Sequence, residues 1–340
     1  DREVDCLAHR SGGYVLLEIF DSCRTVFDDP DARARYRDVL LADIDAADGI
    51  SDLCHRVAKH LQASMSLNGV GVYAFDRIGD GQIVAMASDG TYTFPKEGIK
   101  AVRMPERIRR PLQRTRIRMV SNFGGDPVQF ISDPDCDGSI DLSNSLLRAF
   151  AVEDEAYLED FVPARGFLIM PIVAQGRLWG IVLCLDQEEL KPPVTDLRLY
   201  SFATQALSAG VGRLEAEARL DAFRQAGTLA DRMELEADDG TGLVGLLRAH
   251  EDDLQELFAV DGVIARIEGE QFHLSPDPEL VTDLSELAGH CDRGVLFIDE
   301  KSPAHIQDKL RDTRYVEGYF LALSDDGEEY VFLGRSTRSG

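Results

Sequence analysis

The sequence lacks the features that mark several large classes of protein. No run of 18 uninterrupted apolar residues occurs in its 340 residues, so no membrane-spanning helix is predicted. The first residues, DREVDC, do not follow the basic-then-apolar order of a signal peptide. The six cysteines are scattered without a C-x-x-C pair, which is typical of reduced thiols and not of a disulfide framework or a zinc site. We therefore expect a cytoplasmic protein.

Basic residues are also far fewer than acidic residues. The chain has 36 Lys and Arg against 61 Asp and Glu, which gives a net charge of −25. This balance excludes a surface that is basic as a whole, and with it broad binding to nucleic acid or to anionic membranes. Apolar residues make up 44% of the chain, and the length predicts two or three globular domains with sizeable cores.

Catalytic and metal-binding motifs are missing or out of context. There is no G-x-S-x-G elbow and no S-x-x-K, and the seven histidines show no paired spacing, so structural or surface roles are expected for them. The glycines at 240–245 fit G-x-G-x-x-G but follow an acidic helix, which indicates a linker running into a helix. Residues 133–141 resemble the start of an EF-hand loop, but the twelfth position is Asn144, so we interpret them as an acidic surface loop. We predict no enzyme active site in this chain.

One segment departs from the acidic character of the whole. Between residues 100 and 118 a single acid, Glu106, stands among eight basic residues: Lys100, Arg103, Arg107, Arg109, Arg110, Arg114, Arg116 and Arg118. Arginine forks suit carboxylate or phosphate groups of a ligand. The alternative is a solvated helix opposite the acidic loop or a neighbouring subunit, and the sequence leaves both open.

Periodicity predicts mixed elements in the first part of the chain. Apolar residues at three- and four-residue spacing from Ile50 to Met65, behind Ser51, predict an amphipathic helix. Continuous apolar arms on either side of Gln175-Gly176 predict a hairpin with both faces covered. The remaining predictions are a hairpin at 4–20, a partly helical connector at 28–47, and strands at 70–75 and 83–87.

A long helix is predicted next, over 194–237. It has one apolar stripe, formed by Tyr200, Ala203, Leu207, Val211, Leu214 and Ala218. About 44 residues correspond to about 66 Å, more than one core needs, so the helix should connect domains and pair with another helix. Two shorter helices broken near Gly227 are the alternative.

The second part of the chain repeats a mixed pattern. A helix at 243–258 precedes a hairpin at 262–274, and a strand at 295–298, a helix around 306–310 and a last hairpin at 319–334 follow. The fold class predicted for both domains is α+β, with antiparallel sheets and helices on their faces.

Several segments resemble bacteriophytochromes. DLSNSLLR at 141–148, AYL at 156–158 and QGRLWG at 175–180 are similar to motifs of the GAF domain of that family. VYAFD at 72–76 resembles its V-Y-R-F-D strand, with Ala74 where arginine is usual. AHRSGGYVLLE at 8–18 resembles the last hairpin of the PAS domain, and residues from about 220 onward resemble the PHY domain.

The resemblance implies a PAS–GAF–PHY sensory module. Its parts would be the C-terminal hairpin of a PAS-like domain (1–27), a GAF domain (28–193), the long helix (194–237) and a PHY domain with an absent or truncated tongue (238–340). The family holds biliverdin in the GAF pocket and relays a change through the long helix to an output domain, commonly a histidine kinase. The resemblance thus implies a homodimer formed through this helix and a downstream output domain or response regulator as partner.

Six positions carry over from the family's bilin pocket. Arg118 and Arg148 match the arginines that clamp the bilin propionates, and Tyr73 matches a ring-packing tyrosine. Three positions depart from the pattern: Arg103 replaces the aspartate that organises the pyrrole nitrogens, and Asp154 and Leu185 replace two histidines. Neither Cys6 nor Cys23 matches the bacterial attachment cysteine, and Glu153 stands where plant-type attachment needs one.

These departures predict an altered pocket. A protonated bilin is cationic, so Arg103 would set like charge against it, while Leu185 removes a hydrogen-bonding partner and Asp154 could restore one counter-charge. Our hypothesis is a phytochrome-like sensory module with a degenerate pocket that binds biliverdin weakly or not at all. The alternatives are a functional biliverdin-binding photoreceptor with an altered spectrum, and a ligand-free interaction scaffold.

Overall fold

The structure is a computed structural model, and its described residues form two compact units. The described residues are 4–11, 14–21, 27, 29–76, 80–91, 102–123, 142, 145–146, 164–274, 283–299, 302–310, 313, 315–324 and 326–336. The first unit runs from Asp1 to Ala216 and the second from Glu217 to Gly340. Both contain helices and antiparallel sheet, which confirms the predicted α+β class. The EF-hand-like segment 133–141 lies outside the described residues.

An antiparallel hairpin opens the first unit, as predicted. Strands β1 (Val4–Ser11) and β2 (Tyr14–Asp21) pair along their whole length. Since successive side chains alternate between the faces of a strand, the hairpin has one face toward its own unit and one toward solvent. Leu7 packs against the core on the inner face. The outer face carries exposed apolar side chains, namely Val4, Val15, Leu17 and Ile19.

Two helices follow the hairpin. Helix α1 (Pro30–Asp45) is regular over 16 residues, more helical than the predicted connector, and the Asp29 side chain caps its first turn. Helix α2 (Ile50–Met65) has the predicted amphipathic pattern and buries its apolar stripe completely at Leu53, Val57 and Leu61. Ser51 lies inside its first turn, because the helix begins one residue earlier, after Gly49.

A six-stranded antiparallel sheet forms the centre of the first unit. Its strands are β3 (Gly69–Phe75), β4 (Asp80–Ser88), β5 (Val102–Arg103), β6 (Arg118–Val120), β7 (Gly166–Ala174) and β8 (Arg177–Asp186), in the order β5-β4-β3-β8-β7-β6. The β7–β8 turn has positive φ at both Gln175 and Gly176, as a tight two-residue turn requires. Strands β7 and β8 are buried on both faces, which confirms the prediction from their continuous apolar sequence.

The long helix, α4 (Val194–Asp238), is continuous over 45 residues and passes through Gly227 without a break. It contributes residues to both units. Most of its predicted apolar stripe is used inside the first unit: Tyr200, Ala203, Leu207 and Val211 are buried in a core shared with α2 and one face of the sheet. These side chains are therefore not available to pair with another chain.

The second unit is built around a five-stranded sheet in the order β10-β9-β13-β12-β11. Its strands are β9 (Gly262–Ile267), β10 (Glu270–Leu274), β11 (Val295–Ile298), β12 (Glu317–Ala322) and β13 (Tyr330–Arg335). Helices α5 (Leu243–Ala249) and α6 (Glu251–Phe258) replace the single helix predicted over 243–258, because the chain turns at His250. The predicted helix near 306 is α7 (Ala304–Gln307) followed by a 3₁₀ turn (Asp308–Leu310). Glycines 240–245 run into α5 as predicted.

Candidate functional site

One face of the six-stranded sheet brings together three of the six predicted site residues. In the strand register Arg118 pairs with Ile169 and Ile169 pairs with Leu183, while Tyr73 pairs with Ile181. Alternate residues of a strand share a face, so Tyr73, Arg118 and Leu185 point to the same side of the sheet. We call this side the site face.

Apolar side chains cover the site face. Tyr73 and Leu185 are only 2% and 1% exposed. They belong to one buried cluster together with Phe75, Met104, Ile108, Leu112, Phe167, Ile169, Ile181 and Leu183. Leu185 is thus surrounded by hydrocarbon and offers no hydrogen-bond donor or acceptor where the family pattern has an imidazole.

Helix α3 (Glu106–Leu112) lies over this face. Some basic residues of the segment point to solvent and others approach the site face. Its Ile108 and Leu112 are buried in the cluster, whereas Arg107 and Arg110 are exposed. Arg109 lies against the aromatic ring of Phe75, with 6.0 Å from the guanidinium carbon to the ring centroid. Among the described residues of the segment, Arg109 and the buried Arg118 therefore approach the site face. The exposed Arg107 and Arg110 fit the solvated-helix alternative, and a ligand for the other two stays a prediction.

Arg109 and Arg118 are the charged groups that the described structure places at this apolar face. Arg118 is 6% exposed. The Arg109 Nε is buried and has no hydrogen-bond partner. Guanidinium groups in apolar surroundings strongly favour anions because little water competes for their N–H groups. The arrangement suits a ligand with an apolar body and carboxylate groups.

Three predicted positions are described in part or not at all. Arg103 pairs through its backbone with Asp80 as part of β5, at the edge of the sheet, and its side chain lies outside the description. Arg148 and Asp154 lie outside the described residues. Leu146, two residues before Arg148, is among the described residues, and its carbonyl accepts a hydrogen bond from the Met119 amide at 3.0 Å. This bond joins the segment to β6, the strand that carries Arg118.

Sequence reasoning missed Glu18, which contacts the same segment from the hairpin. Its carboxylate accepts hydrogen bonds from the Leu146 amide at 3.0 Å and from the Ser145 hydroxyl at 2.7 Å. His9 Nε2 lies 2.8 Å from the same carboxylate. The signal in the sequence is a lone acid within the apolar strand YVLLEIF, where an inward-facing charge requires partners.

The described cysteines of the first unit's core are poor nucleophiles. Cys54 and Cys184 are both fully buried on the opposite side of the sheet from the site face. Burial raises the pKa of the Cys54 thiol to about 12 and raises the pKa of Cys184 as well. Neither thiol supplies the thiolate that a covalent attachment to a ligand requires.

Metal and membrane sites find no support in the part of the chain that the structure describes. Within it, no three His, Cys, Asp or Glu side chains come together as metal ligands. None of the described helices combines the length and the apolar character needed to cross a bilayer. Three of the described histidines, His9, His60 and His250, have a ring nitrogen within hydrogen-bonding distance of a carboxylate.

Comparison with known proteins supports the phytochrome resemblance, although no family model matches the chain. A bacteriophytochrome of Xanthomonas campestris pv. campestris is 26% identical over 231 residues, which are 66% of this chain and 36% of the relative. A bacteriophytochrome of Pseudomonas aeruginosa is 23% identical over 243 residues, or 71% of this chain and 33% of the relative. The chain thus spans about a third of the length of these curated relatives.

Solved structures match nearly the whole chain. The bacteriophytochrome of R. palustris superposes with a TM-score of 0.80 at 18% identity, over 98% of this chain and 67% of that one. The photosensory core module of the Stigmatella aurantiaca phytochrome gives 0.79 at 22% identity, over 99% of this chain and 68% of that one. At these identities the likeness establishes the fold.

Proposed function

We propose that this chain, a phytochrome-like module, is the sensory and regulatory part of a signal-transduction protein and that its bilin pocket is degenerate. In this proposal the chain performs no catalysis. It binds biliverdin weakly or not at all, and it passes its signal to an output domain or a response regulator.

The buried position of Leu185 carries the proposal. The pyrrole nitrogens of a bilin need hydrogen-bond partners, and an N–H group that loses its partner in a dry pocket costs about 1–3 kcal/mol. Leu185, at the position of a histidine in the family, lies in a cluster of aliphatic and aromatic side chains. Arg103 would add repulsion, because it stands where the family has an aspartate and the protonated pigment is cationic.

A second candidate is a biliverdin-binding photoreceptor with an altered spectrum. The burial of Arg118 and the unpartnered Arg109 Nε favour it, because both groups are suited to the carboxylates of a ligand. The third candidate, a ligand-free scaffold, is favoured by the burial of Tyr73 within the packed cluster of the site face.

We further propose that the chain forms a homodimer through α4, on a different stripe from the one predicted. Five exposed residues of its C-terminal half follow a 4-3-4-3 spacing: Ala216, Leu220, Phe223, Gly227 and Ala230. This is the heptad spacing of helices that pair along their length. Phe223 is 76% exposed, an unusual position for a phenylalanine that meets only water.

We propose that the hairpin of β1 and β2 is one part of a PAS-like domain. Its inner face is held by the first unit, while its outer face carries exposed apolar side chains. A two-stranded hairpin with one bare apolar face is rarely stable alone, so further strands on that face would complete the domain.

Titration with biliverdin tests the degenerate pocket. We expect no stable, photoconvertible red band between 600 and 800 nm when the purified chain is mixed with excess pigment. The double substitution Arg103→Asp with Leu185→His restores the two family side chains, and we expect it to raise the affinity for biliverdin at least tenfold. A photoconvertible red band from the unmodified protein would overturn the proposal.

A matched control separates restored chemistry from loosened packing. Leu183→His places an imidazole two residues away on the same strand and the same face. It disturbs the apolar cluster to a similar extent without matching a family position, so we expect no gain in affinity. The control is therefore made in the same Arg103→Asp background, and equal gains from Leu183→His and Leu185→His there would mean that a disrupted core, and not a specific partner, admits the pigment.

A further inference from the structure

The carboxylate of Glu18 is engaged by three groups in the described structure. Its two oxygens accept hydrogen bonds from the Ser145 hydroxyl and the Leu146 amide, and His9 Nε2 lies 2.8 Å away. The Glu18 side chain is 9% exposed. Hydrogen bonds to an ionised acceptor in such surroundings are stronger than those between neutral groups, so the carboxylate is a firm anchor.

His9 orients this carboxylate. In the hairpin register His9 faces Leu16 and Glu18 faces Leu7, so His9 and Glu18 are diagonal neighbours on the inner face. Each of the two residues is thereby restrained by the other within the hairpin. The hairpin presents Glu18 in one orientation, with both oxygens toward Ser145 and Leu146.

Leu146 is fixed on three sides by these and other contacts. Its amide donates to Glu18, its carbonyl accepts from the Met119 amide at 3.0 Å, and its side chain is buried in the core on the opposite side of the sheet from the site face. The residue therefore transmits the position of the hairpin to β6.

Strand β6 depends on this support. It is three residues long and lies at the edge of the sheet, paired with β7 on one side only. The hydrogen bond from Met119 to Leu146 occupies the other side of the strand, where an edge strand otherwise has unpaired groups. Arg118 is the residue directly before Met119, so whatever fixes β6 also fixes the backbone of Arg118.

We infer that Glu18 is a positioning residue for Arg118, which makes the N-terminal hairpin part of the anion-binding site. Glu18 holds Leu146, Leu146 holds β6, and β6 carries the buried guanidinium on the site face. The ligand half of this inference rests on the proposed role of Arg118 toward ligand carboxylates, whereas the positioning half does not.

Amide hydrogen exchange of the full chain tests the positioning half. Because the Leu146 amide loses its acceptor, we expect Glu18→Ala to speed exchange at Leu146 and Met119 about tenfold or more. Exchange at Leu183, in the centre of the sheet, should not change and reports that the fold is intact. Glu18→Gln keeps the side-chain volume and one acceptor, so it gives a smaller increase and decides the question if Glu18→Ala does not fold.

Asp5→Asn is the matched control. Asp5 is a carboxylate on the same face of the hairpin, but its Oδ2 accepts from the Val194 amide at 3.2 Å, at the start of α4. We expect it to leave exchange at Leu146 and Met119 unchanged. Unchanged exchange at these two amides in folded Glu18→Ala protein, or an equal increase in Asp5→Asn protein, would overturn the inference.

The ligand half is tested with biliverdin and its dimethyl ester, in which the two carboxylates are masked. Even a weak site that uses Arg118 should prefer the free acid, and we expect Glu18→Ala to reduce this preference about tenfold. Adding Glu18→Ala to Arg118→Ala should cause no further loss, because Glu18 acts through Arg118. No preference for the free acid in the unmodified protein would overturn this half. A photoconvertible red band would instead overturn the degenerate pocket and leave the exchange result standing.

Discussion

At the scale of single residues, the site face combines an apolar lining with buried positive charge. Leu185 and Tyr73 are enclosed by hydrocarbon, while Arg118 is nearly as buried and Arg109 has a nitrogen without a partner. A buried nitrogen without a hydrogen-bond partner, as in Arg109, is costly in such a place, whereas an apolar lining is not. The two arginines are therefore the groups of the site face whose chemistry suits an anionic ligand.

His250 follows the last residue of α5, and its side chain contacts both α4 and α6. Its side chain is 7% exposed and lies between two carboxylates, with Nε2 3.1 Å from Glu236 on α4 and Nδ1 3.3 Å from Asp253 on α6. Arg232, also on α4, contacts Asp253 as well. These contacts join the C-terminal end of α4 to α6 within the second unit.

The Asp253 carboxyl carries a prediction about the stability of the second unit in acid. Hydrogen bonds from His250 and then Arg232 lower its pKa below the ordinary value of 3.8. A carboxyl with a lowered folded-state pKa contributes stability above its unfolded pKa, and this contribution is lost as the pH falls through the folded pKa. We expect urea unfolding midpoints to fall less between pH 5 and pH 3 in Asp253→Asn than in the unmodified protein. Asp252→Asn, the neighbouring acid without these contacts, should behave like the unmodified protein, and a flattened profile in both would contradict this account.

At the scale of elements, local patterns predicted most strands and helices. The β7–β8 hairpin and α2 were predicted because their periodicity and turn residues are local signals. The break between α5 and α6 was not: it lies at His250, which contacts Glu236 and Asp253, and the contact with the distant Glu236 is part of no local pattern. For the same reason the sequence showed the apolar stripe of α4 but not what it packs against.

The candidate site was predictable only in part. Tyr73, Arg118 and Leu185 were identified by resemblance, and the strand register then placed them on one face. The lone acid Glu18 in an apolar strand signalled a need for partners, but the sequence could not identify them because Ser145 is far away in the chain. Nothing in the sequence distinguishes the inward Arg109 from the outward Arg107 and Arg110 on a helix as short as α3.

Close approach of β8 to β3 requires a glycine. A Cβ added at Gly180 would lie 2.0 Å from the Tyr73 carbonyl oxygen, and the obstacle is backbone that cannot turn aside. We expect Gly180→Ala to lower the free energy of unfolding of the first unit by about 3 kcal/mol, measured by urea denaturation. Gly212→Ala is the control: its Cβ would meet Ala174 at 4.0 Å within a helix, so it should be neutral or stabilising. A folded Gly180→Ala protein of unchanged stability would contradict the described pairing of these strands.

At the scale of the whole molecule, two cores share one helix. The N-terminal half of α4 packs into the first unit through Tyr200 and Leu207, and Leu229 packs into the second. Between these regions the helix is exposed over several turns. A helix used inside both units still has the exposed stripe of Ala216, Leu220, Phe223, Gly227 and Ala230, through which we propose that two copies of the chain pair.

Dimerisation through that stripe can be tested by charge. We expect Leu220→Glu with Phe223→Glu to convert a dimer into a monomer in light scattering at tens of micromolar, because the substitutions place like charges together in the proposed seam. Ala222→Glu is the control: it adds charge at an exposed position about 200° around the helix from Leu220 and should leave the dimer intact. A monomeric unmodified protein at high micromolar concentration would exclude the dimer.

The contact between Glu18 and Ser145 spans 127 positions of the sequence. At a translation rate of roughly 5–20 residues per second, the hairpin leaves the ribosome on the order of ten seconds before its partner is made. During that interval the Glu18 carboxylate can contact His9 of the same hairpin but not Ser145 or Leu146. The contact between the hairpin and the segment at Ser145 and Leu146 is therefore completed late in synthesis, and a ribosome that stalls before Ser145 leaves the first unit without it.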